Sequence, residues 1–181
     1  MRVLPTQLPG VVVVEPDVFR DARGYFLETF HQQRYREAGI SCSFVQENQS
    51  RSVRGTLRGM HAQLRKPQGK LVRVLQGEIF DVAVDVRPGS ATFGKWTAER
   101  LSAESFRQMF VPPGFAHGFC VLSEFAEVAY SCTELYDRSD EIGFRWNDPA
   151  VGINWPIDRP LLSEKDAALP TLAELRQRLS A

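Results

Sequence analysis

The sequence has three cysteines, three histidines and no surplus charge of either sign, and each shortage excludes a class of protein. Cys42, Cys120 and Cys132 are odd in number and far apart, with no CxxC pair. Neither a disulfide framework nor a zinc knuckle is therefore expected. Buried thiols in a reducing compartment account for them. Lysine plus arginine and aspartate plus glutamate number 22 each. A zero formal charge gives no support to binding of nucleic acid or an anionic membrane, which need a basic surface. A local cluster of cations can still hold an anionic ligand. No apolar run reaches the roughly 18 residues of a membrane span, and Met1-Arg2-Val3-Leu4-Pro5 lacks the apolar stretch of a signal peptide. The expectation is a soluble, cytoplasmic protein.

Missing motifs narrow the chemistry further. There is no GxSxG elbow, no Walker loop and no GxGxxG between a strand and a helix. Acyl transfer thus lacks its nucleophile. A facial metal site wants two or three histidines, commonly two residues apart on one strand face. Here Gln63 stands two after His61, and Phe119 two after His117. No metal and no cofactor are expected. Histidine, tyrosine, lysine and carboxylates remain, and those side chains move protons.

What is present is an ordinary globular mixture, 43% hydrophobic and 24% charged. The 181 residues suit one domain, 1–181, with a sizeable core. The middle of the chain reads as β. Leu71 to Leu75 and Ile79 to Val86 flank Gln76-Gly77, which predicts a tight hairpin. In the second run Phe80, Val82, Val84 and Val86 share one face, and Asp81 and Asp85 the other. Further strands are expected at 11–14, 24–29, 43–46, 96–101, 108–111, 118–122 and 127–133, separated by turns such as Arg87-Pro88-Gly89-Ser90. Many short strands mean a sandwich, jelly roll or small barrel. Helices are expected only at His31 to Ala38, ended by Gly39, and at Thr171 to Leu179, where Thr171 and Glu174 are spaced as a capping box.

The three histidines can be weighed singly. His31 sits in a polar helical stretch and reads as a surface residue. His61 lies in Leu57-Arg58-Gly59-Met60-His61-Ala62-Gln63, and His117 in Gly114-Phe115-Ala116-His117-Gly118-Phe119. By type and context alone, each is either a hydrogen-bonded structural histidine or a functional one. Arg58 and His61 raise a problem of parity, because strict alternation puts them on opposite strand faces. Both reach one site only if the strand is irregular, and Gly59 is the natural place for a bulge.

Several stretches together resemble one family. They include Asp21-Ala22-Arg23-Gly24-Tyr25-Phe26-Leu27-Glu28, Phe44-Val45-Gln46-Glu47-Asn48, Leu57-Arg58-Gly59-Met60-His61 and Gln68-Gly69-Lys70-Leu71-Val72-Arg73. Gly77 to Asp85, Pro113 to Phe119, Trp146-Asn147-Asp148-Pro149 and Leu162-Ser163-Glu164-Lys165-Asp166 continue the pattern nearly to the end. This order and spacing resembles the dTDP-4-dehydrorhamnose 3,5-epimerases. The resemblance implies an all-β cupin jelly roll with short peripheral helices and a C-terminal helix. It also implies proton exchange at C3 and C5 of a dTDP-4-keto-6-deoxy sugar through an enolate, without cofactor, in a homodimer. A single-site epimerase of a related sugar nucleotide is the nearest alternative, and a non-catalytic sugar-nucleotide-binding cupin a more distant one.

Residue roles follow from the same resemblance. His61 matches the base, Asp166 its carboxylate partner, Tyr130 the proton donor and Lys70 the residue near the ketone oxygen. Read without the family, Tyr130 would be a half-buried core tyrosine and Lys70 a strand-edge lysine. Arg23, Phe26, Glu28, Gln46, Glu47, Asn48, Arg58, His117, Glu141 and Lys165 match substrate-binding positions, and Tyr136 matches an aromatic stacked on thymine. Arg23 and Glu28 would come from the neighbouring chain. Ala62 departs from the aromatic residue of many relatives, which loosens the packing expected behind His61.

Overall fold

Runs of apolar residues cut by glycine and proline turns fold into thirteen strands and three short helices among the described residues. The structure is a computed structural model describing residues 1–179; the last two residues of the expected 1–181 span lie outside it. In chain order the elements are β1 (Arg2–Pro5), β2 (Val12–Glu15), β3 (Val18–Asp21), β4 (Gly24–Leu27), α1 (Gln32–Glu37), β5 (Gln46–Val53), β6 (Leu57–Gln63), β7 (Lys70–Gln76) and β8 (Glu78–Asp85). Then follow β9 (Trp96–Ser102), β10 (Gln108–Val111), β11 (Phe115–Val121), β12 (Phe125–Cys132), β13 (Glu141–Gly143), α2 (Glu164–Ala167) and α3 (Leu172–Leu179).

Two sheets form a sandwich. One has the order β1-β2-β10-β7-β12-β5 and the other β13-β6-β11-β8-β9, while β3 and β4 make a separate hairpin. The main core lies between the sheets, where Val72, Val74 and Val128 meet Ile79, Ala83, Phe119 and Val121. A second cluster covers the outer face of the five-stranded sheet. There Val82, Val84 and Val86 pack against Phe144, Leu172 and Leu175 of the C-terminal segment. A third seats Tyr35 and Ile40 on Val14, Leu71 and Phe110. Full burial of each large aliphatic or aromatic side chain contributes about 1.5–3 kcal/mol, so Leu172 and Leu175 hold the C-terminal segment against the sheet.

Most expected elements are present, and both long-range helical signals hold. His31 caps α1 by accepting from the Arg34 amide, and Gly39 takes a φ of +93° after it. This gives His31 a local structural role. Thr171 and Glu174 exchange amide hydrogen bonds at the start of α3, as a capping box should. The predicted hairpin at Gln76-Gly77 does not form. β7 and β8 belong to different sheets, and Gly77 turns the chain from one to the other. Its φ is +78°, and a Cβ there would stand 2.1 Å from the Phe125 carbonyl oxygen, so only glycine fits this corner. The strand expected at 43–46 instead begins at Gln46 and runs to Val53, and α2 was not foreseen.

Candidate active site

One end of the sandwich holds a cavity of about 390 Å³ between the sheets. Its first wall comes from β6. Against β11, Arg58 pairs with Phe119 and His61 with His117, so three steps on β6 match two on β11. That extra residue is a β-bulge, and it brings both Arg58 and His61 to the cavity. Gly59 sits within it at a φ of +124°, and a Cβ there would lie 2.6 Å from Gly118 Cα. The bulge thus settles the parity problem at the residue expected to do so.

His61 Nε2 lies 2.6 Å from Asp166 Oδ1. Asp166 is buried on α2, and its own amide donates to Ser163 Oγ, which caps the helix. Burial pushes the Asp166 carboxyl up, but the hydrogen bond and charge of His61 outweigh it and hold the group below the usual carboxylate range. With Asp166 ionised, the proton on this bond belongs to Nε2. Nδ1 is left to exchange protons, with Glu141 Oε1 at 3.9 Å, beyond hydrogen-bond reach.

Opposing side chains come from the six-stranded sheet. Tyr130 on β12 and Lys70 on β7 line the same cavity. Burial pushes the Tyr130 phenol up, which keeps it protonated as a donor. Burial also draws the Lys70 ammonium down from the usual lysine range. Gln46 and Asn48, two apart on β5, face inward and join through Gln46 Nε2 to Asn48 Oδ1 at 3.0 Å. His117 lies beside His61, with its Nε2 2.7 Å from the buried Asp81 Oδ1. At the rim, Lys165 Nζ donates to both Glu141 oxygens at 2.8 and 2.9 Å, and Tyr136 Oη donates to Glu141 Oε2 at 2.9 Å. Among the described residues, no group of three His, Cys, Asp or Glu side chains converges as a metal-ligand set.

Eleven of the fifteen expected site residues line this cavity: His61, Tyr130, Asp166, Lys70, Gln46, Asn48, Arg58, His117, Tyr136, Glu141 and Lys165. Four do not. Alternation along β5 turns Glu47 to the opposite face from Gln46 and Asn48, where it pairs with Arg73 at 3.7 Å. Arg23 and Phe26 project from the exposed β3–β4 hairpin, Arg23 bound to Asp21, and Glu28 pairs with Arg34. Other lining residues went unread, among them Ser50, Gln63, Gln68, Phe119 and Ser163. Only Ser163 carried a signal, since Ser-Glu-Lys-Asp has the spacing of a helix N-cap. Ala62, expected to loosen the packing behind His61, lines the cavity and is buried in the second cluster.

The family model described as dTDP-4-dehydrorhamnose 3,5-epimerase matches residues 5–174. The chain belongs to this family. A dTDP-4-dehydrorhamnose 3,5-epimerase of Pseudomonas aeruginosa is 55% identical over 168 residues, covering 92% of this chain and 93% of the relative. The crystal structure of a dTDP-6-deoxy-D-glucose-3,5-epimerase from Legionella pneumophila, in complex with dTDP-4-keto-L-rhamnose, matches with a TM-score of 0.95 at 47% identity. That match covers 98% of this chain and 96% of the other. A dTDP-4-dehydrorhamnose 3-epimerase of Streptomyces niveus is 40% identical over 178 residues, covering 97% of this chain and 86% of the relative. Among the described residues no helix is long and apolar enough to cross a membrane.

Proposed function

We propose that the cavity converts dTDP-4-dehydro-6-deoxy-D-glucose to dTDP-4-dehydro-L-rhamnose, in dTDP-rhamnose biosynthesis, by epimerising C3 and C5. The observation that carries this reading is the placement of His61 and Tyr130 on opposing sheets of one cavity. Epimerisation removes a proton from one face of a carbon and returns one to the other. It therefore needs a base and an acid on opposite sides of the ring.

The C4 ketone acidifies the C–H bonds on either side of it. His61 Nδ1 takes the proton from carbon, and the electron pair moves to the ketone oxygen as an enolate. Asp166 keeps the proton of the neutral imidazole on Nε2 and stabilises the imidazolium that forms. Lys70 places a cation where the enolate charge develops. Tyr130 then delivers its phenolic proton to the opposite face, and solvent restores both groups. Arg58 and Lys165 supply cations for the diphosphate, arginine with a fork suited to two oxygens. Tyr136 offers a ring at the mouth for the thymine, and His117, Gln46, Asn48 and Glu141 supply hydrogen-bonding groups around the nucleotide sugar. These steps need no metal and no cofactor.

A homodimer belongs to the same proposal. Arg23, Phe26 and Glu28 lie outside their own chain's cavity, and the hairpin exposes Phe19 and Phe26 at 65% and 70%. Exposed aromatics at that level favour a covering partner. A second copy that received this hairpin would complete its site with those residues.

Running the reaction in deuterium oxide tests the function. Deuterium at both C3 and C5 of the product is expected. Label at one carbon only would replace the double epimerase with a C3- or C5-specific one, and label at neither would leave a binding protein.

A further inference from the structure

Four consecutive residues of the segment after β12 are held by three glutamines. Gln68 Nε2 donates to the Glu134 carbonyl at 2.7 Å. Gln63 Nε2 donates to the Leu135 carbonyl at 3.2 Å, and Gln63 Oε1 accepts the Asp137 amide at 2.8 Å. Between them, Gln46 Oε1 accepts the Tyr136 amide at 2.8 Å. Gln63 and Gln68 are 4% and 8% exposed, and the Nε2 group of each is taken up by these carbonyls. Gln63 also ties down its own loop by donating to the Lys66 carbonyl at 2.8 Å.

The glutamines stand at telling places. Gln63 is two residues after His61 on β6, and Gln68 is two residues before Lys70. The same backbone that aims two of the reacting groups therefore aims the segment carrying Tyr136. Asp140 closes the interlock from the other side, its carboxylate accepting the amides of Arg65 and Lys66 at 3.0 and 2.9 Å. Irregular backbone at a cavity mouth ordinarily loses order when nothing binds it. Here its carbonyls and amides are satisfied in advance.

We infer that Gln63 and Gln68 are positioning residues that preset Tyr136 for the nucleotide, so that binding does not have to order this wall. The inference rests on the reading of the cavity as a dTDP-sugar site. It deepens that reading by assigning two buried amides to nucleotide affinity rather than to proton transfer. Preorganisation of this kind lowers the cost of binding and leaves the chemical step unchanged.

The test compares Gln68→Met and Gln63→Met with the wild-type enzyme, using calorimetric titration with dTDP and steady-state kinetics. Loss of one such bond should raise the Kd for dTDP and the KM for the sugar nucleotide together, by about 3- to 10-fold for Gln68→Met. Gln63→Met removes three bonds and should raise Kd and KM further, with kcat falling by a smaller factor than KM rises. Gln68, held through its bond to the Glu134 carbonyl, serves as the milder variant should Gln63→Met fold poorly. In a Tyr136→Ala background Gln68→Met should add little, because two changes acting through one group are not additive. A fall in kcat with unchanged Kd and KM, or full additivity with Tyr136→Ala, would overturn the inference. Wild-type protein that bound no dTDP would instead overturn the functional reading beneath it.

Discussion

Two histidine–aspartate pairs lie on neighbouring strands, and they differ in nearly everything except bond length. His61 and His117 are cross-strand partners on β6 and β11. Their bonds to Asp166 and Asp81 measure 2.6 and 2.7 Å. Yet the His61 side chain is 24% exposed and that of His117 only 7%. Asp166 comes from a capped helical turn beyond the sheet, whereas Asp81 stands fully buried on an inner strand, its Oδ2 without a hydrogen-bond partner among the described residues. A general base has to exchange protons with substrate and water on every turnover, which favours the open pair. A buried pair with its acceptor in the sheet favours a fixed orientation instead. Access and surroundings, not the residue types, separate the two roles.

The sharpest way to break this comparison is to remove each imidazole's function in turn. His61→Ala should lower kcat by about 10³-fold, the scale of a lost general base, and abolish solvent deuterium incorporation into the sugar. Asp166→Asn keeps a hydrogen-bonding group on Nε2 but loses the charge that stabilises the imidazolium. A fall in kcat of about 10²-fold is expected, measured with the folded state checked by circular dichroism. If Asp166→Asn left kcat untouched, the open pair would be no more catalytic than the buried one.

Asp81→Leu sharpens the contrast from the other side. It leaves the buried Nε2 of His117 without an acceptor, which should cost stability by about 1–3 kcal/mol in urea unfolding. Its effect on kcat should be smaller than that of Asp166→Asn. The opposite ranking, with rate lost and stability kept, would make the two pairs alike in kind.

The same pairs show what the sequence displays and what it hides. The strand pattern of β8 separates the valines from Asp81 and Asp85, and the structure keeps that separation. Alternation does not say which face turns inward, because both faces of β8 are covered. Here the apolar face lies under the C-terminal segment, and the aspartate face turns toward the sandwich interior. Gly59 was legible because two residues of odd spacing had to reach one cavity. Asp166, Tyr130 and Lys70 were singled out through the family resemblance alone, since nothing local marks a lysine or tyrosine for a cavity, and all three line it. The polar strand β5, Gln46–Val53, has no apolar alternation to announce it, and Gln63 and Gln68 bond to distant backbone in a way no motif encodes. Gly77 was misread because a tight turn joining two strands looks the same whether they pair or part to different sheets.

The gentlest effect should appear in acid, where the open pair loses a contribution tied to a lowered carboxylate pKa. Burial opposes ionisation of Asp166, and His61 outweighs it, so the folded carboxyl titrates below its unfolded counterpart. A group of this sign stabilises the fold above the unfolded pKa and loses that contribution as pH falls through the folded one. Asp166→Asn has no carboxyl to protonate. The stability difference between wild type and this variant, measured by urea unfolding from about pH 6 down to about pH 3, should therefore shrink as the solution becomes more acid. A difference that stayed constant across that range would mean that His61 does not hold Asp166 ionised. The tautomer assigned to the open pair, with Nε2 bound and Nδ1 free, would then lose its support.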